Sequence, residues 1–261
     1  SNIKFIKSDI TDYKDIKSTL NRIHPDIIFH LAGIFNASDL TFLHKVNVIG
    51  SENVISVAGN FSKNVCIILA SSASVYGSVR RENNPIKEEI NLHPTSHYGI
   101  SKLSMEMIGK MYAKKYENLK IITARTFNLI GHGLSNSLLP GKLAENIFEI
   151  SRKEGGGDLR VGNINSIRDF IDIKDAVKAF CMLAVSGKKN QAYNVGSGNG
   201  EKIKNLIDLF IKAVDSDIEI IKDQSLFKDI DAEISVADIT KIREDTGWAP
   251  VETLEKSISD I

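Results

Sequence analysis

Cysteine is scarce: 261 residues contain two, Cys66 and Cys181. One falls in a predicted buried strand and the other in a predicted helix. They read as reduced packing residues and not as a disulfide framework. Charge of one sign is lacking too, since 33 Lys and Arg balance 33 Asp and Glu. That balance removes any bulk attraction to nucleic acid or a membrane surface, although local positive charge can still serve an anion site. No apolar run approaches the ~18 residues that a membrane-spanning helix requires. The first residues lack the pattern of a secretory signal. The six histidines, His24, His30, His44, His93, His97 and His132, show no metal-ligand spacing, so no metal is expected. Internal repeats and low-complexity tracts are missing as well. What remains is a chain with 42% hydrophobic residues, enough to bury a sizeable core in one or two lobes. A cytoplasmic globular protein is expected.

Two short segments carry chemistry. The first is Ser71-Ser72-Ala73-Ser74-Val75-Tyr76-Gly77; the second is Tyr98-Gly99-Ile100-Ser101-Lys102. A tyrosine four residues before a lysine places both on one helix face. Leu103, Met107 and Met111 recur at helical spacing and Ser96 can cap the helix. The Lys102 ammonium is expected to favour the ionised Tyr98 phenol, bringing it below its ordinary value near pH ~10. That would make a usable acid/base. Val65–Ala70 is a continuous apolar run, the pattern of a parallel strand buried on both faces. It ends in small hydroxyl residues, and open α/β sheets bind ligands at that end. Side chains alternate along a strand, so Ser71 and Ser72 should point in opposite directions. With these two segments the chain resembles the extended short-chain dehydrogenase/reductase family, in particular its nucleotide-sugar epimerases, dehydratases and reductases.

The resemblance extends from Asp9 to about Trp248. Asp9-Ile10-Thr11-Asp12 is similar to an Asp-Ile element beside the cofactor's adenine. Pro25–Gly33 is similar to the family's His-Leu-Ala-Ala strand, whose backbone, here Leu31, Ala32 and Gly33, passes close to the dinucleotide. Asn47 opens an Asn-Val-x-Gly-x-x-Asn helix and by resemblance orders the active site; a helix cap or a core hydrogen bond is the plainer alternative. Asn128, in Arg125-Thr126-Phe127-Asn128, is implied to touch the sugar nucleotide. Arg168, in Arg168-Asp169-Phe170, is implied to hold phosphate through charge-assisted hydrogen bonds, the alternative being a surface ion pair. Tyr193–Gly198 matches a further segment, read as structural, and Ala237-Asp238 with Thr246-Gly247-Trp248-Ala249-Pro250 resembles the family's closing segment. Lys228 stands where many relatives carry an arginine. Catalysis is implied for Ser72, Tyr98 and Lys102, cofactor binding for Asp9, Ile10, Leu31, Ala32, Gly33, Asn47, Tyr98 and Lys102, and substrate binding for Ser72, Asn128 and Arg168.

The implied fold is α/β: a Rossmann-like, doubly wound parallel sheet with a smaller C-terminal substrate-binding lobe. Strands are expected at Ile3–Lys7, Asp26–His30, Val65–Ala70 and Ile121–Ala124, within a dinucleotide-binding region spanning 1–130. Residues 131–261 are expected to form mainly the substrate lobe, with the chain crossing between lobes more than once. Family members begin with a strand and a glycine-rich phosphate turn. Here the first glycine is Gly33. About 50 further N-terminal residues are therefore expected in the natural protein, from the usual size of such a unit, and the 261 residues alone are expected to fold poorly and to be unable to bind NAD(P)H. The implied cofactor is NADP or NAD, the choice not being readable. The implied partners are a nucleotide-diphosphate sugar and a second copy of the chain, which pairs through the helices around Phe42–Gly59 and Ser96–Tyr116. Phe42, Val46, Ile49, Met107, Ile108 and Met111 supply the apolar surface.

The family's 4,6-dehydratases carry an Asp-Glu pair where this chain has Ala73 and Ser74, which argues against dehydration. The run from Arg125 to Ser135 resembles that of GDP-4-keto-6-deoxymannose reductases. A 4-keto-6-deoxy sugar nucleotide reductase is the favoured reading. A 4-epimerase and a catalytically silent binding protein are the alternatives.

Overall fold

The computed structural model describes residues 3–35, 37–214, 216–227 and 232–261. Asp12 starts the first regular element: its carboxylate accepts the Lys14 and Asp15 amides, and α1 runs Tyr13–Ile23. His24, in the left-handed region, closes it by donating its amide to the Leu20 carbonyl. β1 (Ile27–His30) follows, then α2 (Leu40–His44), which passes through a wide π-type turn at Lys45–Gly50 into α3 (Ser51–Gly59). β2 (Val65–Ser72), α4 (His97–Lys115) and β3 (Leu119–Thr126) come next. β4 (Asn128–Ile130), α5 (Leu139–Ser151), β5 (Gly157–Val161), β6 (Ile167–Asp172) and α6 (Ile173–Ser186) continue the chain. β7 (Ala192–Val195), β8 (Gly200–Lys202), α7 (Ile203–Val214), β9 (Ile218–Lys222), β10 (Ile234–Ser235), α8 (Thr240–Thr246) and α9 (Leu254–Ser259) complete it.

The residues divide into two compact units. The first comprises Ser1–Gly77, Leu92–Arg125 and Phe180–Tyr193. The sheet order is β1-β2-β3-β7, with β1 and β2 parallel and Ile27 opposite Cys66. The apolar run of β2 is covered from both sides, and Ile67, Leu69, Ile55 of α3, Met105 of α4 and Leu119 of β3 join one core. This burial on two faces is what a strand without apolar/polar alternation requires.

The strand expected over Ile3–Lys7 is not formed. The segment is irregular, and Phe5 is 95% exposed. A strand exists only by hydrogen-bonding a neighbour, and no described residue pairs with this one. Cys181 lies on an exposed face of α6, so it is not the packing residue expected; Cys66 is half-buried, with its thiol 3.8 Å from the Ala184 carbonyl.

The second unit comprises Ser78–Asn91, Thr126–Ala179 and Asn194–Ile261. Parallel pairs β10–β6 and β4–β6 flank β6, β8 adds to it antiparallel, and β5 pairs with β9. Its core gathers Ile130, Ile147, Leu206, Ile207 and Phe210. Trp248 is buried and donates its indole N–H to the Asp175 carbonyl at 3.2 Å. Among the described residues no helix is long and apolar enough to cross a membrane, and no cluster of His, Cys, Asp and Glu could hold a metal ion.

Candidate active site

The site lies in the first unit, at the carboxyl end of β2. There the strand turns through a short 3-10 segment, Ala73–Val75, capped by Ser72. Ser72 Oγ accepts the Ser74 amide at 3.2 Å and the Ser74 hydroxyl at 2.7 Å. Ser71 points the other way, donating its hydroxyl to Glu106 Oε1 at 2.5 Å in the interior. Strand alternation thus separates the two serines.

α4 begins immediately beside this turn. Ser96 caps it by accepting the Gly99 amide at 3.1 Å. Gly99 is what permits the approach: an added Cβ would lie 2.6 Å from the Ser74 carbonyl oxygen. The first turn of α4 therefore brings the Tyr98 phenol close to the Ser72 hydroxyl, near enough for that hydroxyl to act on the phenol's pKa. Phe35, from the loop after β1, meets the Tyr98 ring edge to face at 4.9 Å between centroids.

Lys102 lies one helical turn on, 4% exposed. Its Nζ donates to the Ala70 carbonyl at 2.9 Å and sits 5.7 Å from the Tyr98 ring centroid. Burial lowers the ammonium to a pKa of about 8. The expected lowering of the phenol is not found. Burial raises the Tyr98 pKa, and the Ser72 hydrogen bond opposes that rise. The ammonium is committed to a carbonyl rather than to the phenol oxygen, and desolvation of the ring outweighs the bond to Ser72.

Asn47 uses its whole side chain. Its Oδ1 accepts the Ile34 amide at 2.8 Å, while Nδ2 donates to the Ile34 carbonyl and to Ser101 Oγ, each at 2.9 Å. It ties the loop after β1 to the helix of Tyr98. Leu31, Ala32 and Gly33 lie in that loop and are exposed. A Cβ at Gly33 would stand 3.1 Å from Lys102 Nζ and 3.2 Å from Asn47 Oδ1. His30, just before, is buried against Ser51 Oγ at 2.8 Å; burial first, then the Lys102 charge, brings its pKa to about 4 and keeps it neutral. Asp9 spends its carboxylate on the Thr11 amide and hydroxyl, which hold its pKa low. Ile10 packs on Gly50, where a Cβ would lie 2.8 Å from its side chain. Both sit in the first unit.

Asn128 and Arg168 belong to the second unit. Asn128 is exposed and donates to the Asp169 carbonyl at 2.9 Å. Arg168 is half-buried on β6, with Nη1 donating to the Ile167 carbonyl at 2.8 Å. Lys228 lies outside the described residues. Asp169, next to Arg168, is fully buried, and its role is not legible from the sequence alone. Its carboxylate accepts the Ser197 amide and hydroxyl, the Gly198 amide and the Ala237 amide. Burial raises its pKa, and these bonds oppose the rise.

Glu106 and Arg125 are also absent from the sequence-derived site, yet their buried ion pair at 2.8 Å lies beneath the serine turn. Glu106 continues the Tyr98, Lys102 spacing by one more turn of the helix, and that spacing is the signal that points to it.

The family model described as GDP-mannose 4,6 dehydratase matches residues 1–261. A GDP-6-deoxy-D-mannose reductase of Pseudomonas aeruginosa is 29% identical over 243 residues, which is 91% of this chain and 79% of that protein. A UDP-glucose 4-epimerase of Mycoplasma genitalium is 28% identical over 281 residues, 99% of this chain and 81% of that protein. Among solved structures, that of RMD from Pseudomonas aeruginosa complexed with NADPH is similar at a TM-score of 0.90 and 26% identity, covering 98% of this chain and 86% of that one.

Proposed function

The chain belongs to the GDP-mannose 4,6-dehydratase family of NAD(P)-dependent extended short-chain dehydrogenase/reductases, and from that membership we propose that it reduces the C4 ketone of a 4-keto-6-deoxy sugar nucleotide. One observation carries the reading: the Ser72 hydroxyl and the Tyr98 phenol meet at the carboxyl end of β2, with Lys102 beside them. Tyr98 donates its proton to the C4 oxygen, and Ser72 donates a hydrogen bond to the same oxygen. An ordinary phenol, titrating near pH ~10, already holds its proton at neutral pH, and burial raises that value further, so Tyr98 enters the reaction protonated.

A nicotinamide dinucleotide fits the residues around this pair in part. Leu31, Ala32 and Gly33 are exposed, and Gly33 lies against Lys102 and Asn47 with little room for a Cβ. Leu31, Ala32 and Gly33 would border the bound dinucleotide, and Lys102 would hold its ribose hydroxyls. When bound, the dinucleotide exchanges the hydride at C4. Asn47 keeps the loop in register, and Asp9 and Ile10 sit at the adenine end. RMD from Pseudomonas aeruginosa, in its complex with NADPH, supports a nicotinamide dinucleotide here, NADP or NAD.

The first unit serves as the dinucleotide-binding lobe and the second as the sugar-nucleotide lobe, with Asn128 and Arg168 as its substrate contacts. The protein works in the cytoplasm as a homodimer. Phe42, Ile49, Met107 and Met111 support the dimer because they are exposed apolar residues on the helices expected to pair. Val46 and Ile108 contribute less, since Val46 is buried and Ile108 packs on the unit's own core.

A 4-epimerase is the second reading, favoured by the relative from Mycoplasma genitalium and by the fact that epimerisation needs the same proton exchange. Two incubations of the full-length protein separate them, one with NADPH and GDP-4-keto-6-deoxymannose and one with NAD and UDP-hexoses. Net cofactor oxidation supports the reductase. Interconversion of UDP-hexoses without net oxidation replaces it with the epimerase. Sugar-nucleotide binding with neither outcome overturns both.

A further inference from the structure

Glu106 stands one helical turn beyond Lys102 and two beyond Tyr98, on one face of α4. It is 1% exposed, and its partner Arg125, near the end of β3, is 2% exposed. Burying two opposite charges carries a large desolvation cost that their attraction must first offset, and an apolar pair of similar volume often joins two elements as well. Packing alone therefore does not account for the pair. Directed hydrogen bonds do. The carboxylate accepts Arg125 Nε at 3.1 Å, Arg125 Nη2 at 2.8 Å and the Ser71 hydroxyl at 2.5 Å. At the other end of the guanidinium, Nη1 donates to the Tyr76 phenol at 3.1 Å, and the guanidinium carbon lies 5.1 Å from that ring's centroid.

Ser71 and Tyr76 bracket the turn that presents Ser72. Ser71 is fastened to Glu106 directly and Tyr76 through Arg125, and Glu106 belongs to the helix that carries Tyr98. Ser72 is not fastened to α4 in this way: its hydroxyl is engaged by the Ser74 amide and hydroxyl, within the turn itself. We propose that Glu106 and Arg125 are positioning residues for the reaction, holding the Ser72 hydroxyl within hydrogen-bonding reach of the Tyr98 phenol through Ser71 and Tyr76. They touch neither substrate nor cofactor. The proposal rests on the reading of Ser72 and Tyr98 as the proton-transfer pair.

The obvious variant, Glu106→Gln, leaves a buried guanidinium uncompensated and mixes folding with positioning. The decisive variant is S71A/Y76F, which removes both tethers and keeps the ion pair. A second variant, E106M/R125M, replaces the pair with apolar side chains. Three quantities are read on the full-length protein: the thermal melt, the kcat and KM for GDP-4-keto-6-deoxymannose with NADPH, and the Tyr98 titration by NMR of isotope-labelled tyrosine, assigned with Tyr98→Phe. S71A/Y76F should melt cooperatively, lose about tenfold in kcat and keep the sugar-nucleotide KM within about twofold. Its Tyr98 phenol should titrate higher than in the wild type, because the Ser72 hydrogen bond that lowers it is weakened. A folded E106M/R125M should show the same pattern. A folded S71A/Y76F with wild-type kcat and an unmoved Tyr98 titration would overturn the proposal, whatever E106M/R125M does. The titration needs no substrate. A wild type that reduces no 4-keto sugar nucleotide would thus count against the reductase reading and leave the positioning claim to be decided by the phenol.

Discussion

Tyr98 and Lys102 share one helix face, yet burial moves them in opposite directions: the phenol up and the ammonium down to about 8. The ammonium is therefore the first of the two to lose its proton as pH rises. Below about 8 it is a charged donor beside the Leu31–Gly33 loop; above that value it is a neutral amine. NADPH binding should weaken as pH climbs through this value, whereas a free lysine would hold its charge to about 10.4. Fluorescence titration of NADPH at neutral pH and well above 8 checks this, and Lys102→Arg should move the decline upward because a guanidinium keeps its proton. A flat profile in the wild type would contradict it. Tyr98, Lys102 and Ser72 are legible in the sequence because their relation is local: a helical spacing and a strand end. The upward shift of the phenol is not, because burial depends on Phe35 and on the β2 turn, which no spacing reveals. Nor is the Glu106–Arg125 pair, since it joins α4 to β3.

At the scale of elements, α4 packs closely through glycines, and the two contacts differ in kind. At Gly99 an added methyl would press on the Ser74 backbone oxygen at 2.6 Å, and backbone at a capped turn cannot move aside without shifting Ser72. At Gly109 it would meet the end of the Leu69 side chain at 2.8 Å, which can rotate away. Overpacking costs about 1–3 kcal/mol, and alanine in a helix interior returns about 1 kcal/mol relative to glycine. Gly109→Ala should therefore be near neutral in stability and activity. Gly99→Ala should lower the melting temperature and reduce kcat by about tenfold or more. Thermal melts with steady-state kinetics measure both; equal behaviour of the two variants would contradict this distinction. The start of α4 is readable because Ser96 carries its own cap signal, whereas the Asp12 cap of α1 emerges from the structure. The fate of Ile3–Lys7 is not, because its apolar residues specify an extended chain while only a neighbouring strand makes it part of a sheet.

For the whole molecule, the alternation of strands and helices up to residue 130 makes the doubly wound class legible. The interleaving of the two units is less so: Ser78–Asn91 and Phe180–Tyr193 each fall in the unit that their sequence neighbours do not suggest. Those exchanges rest on long-range pairs such as the Asn194 amide with Glu88 at 2.8 Å and the Thr123 amide with the Gln191 carbonyl at 3.0 Å. β1 ends the described sheet, and Ile27 and Phe29 along it remain exposed. The apolar residues on α2–α3 and α4 predict a dimer by sedimentation at micromolar concentration. Met107→Glu combined with Ile49→Glu should convert it to a monomer with a cooperative melt, and a wild-type monomer would rule the dimer out.

The claim at the centre is that the Tyr98 phenol delivers the proton to C4. The most direct test compares wild type and Tyr98→Phe in the full-length protein, following NADPH oxidation in a single turnover with GDP-4-keto-6-deoxymannose. The substitution keeps the ring, and with it the contact with Phe35, and removes the hydroxyl that carries the proton. The expected result is an unchanged melt and a rate lower by about 10² or more; a folded Tyr98→Phe protein that oxidises NADPH at the wild-type rate would contradict the claim.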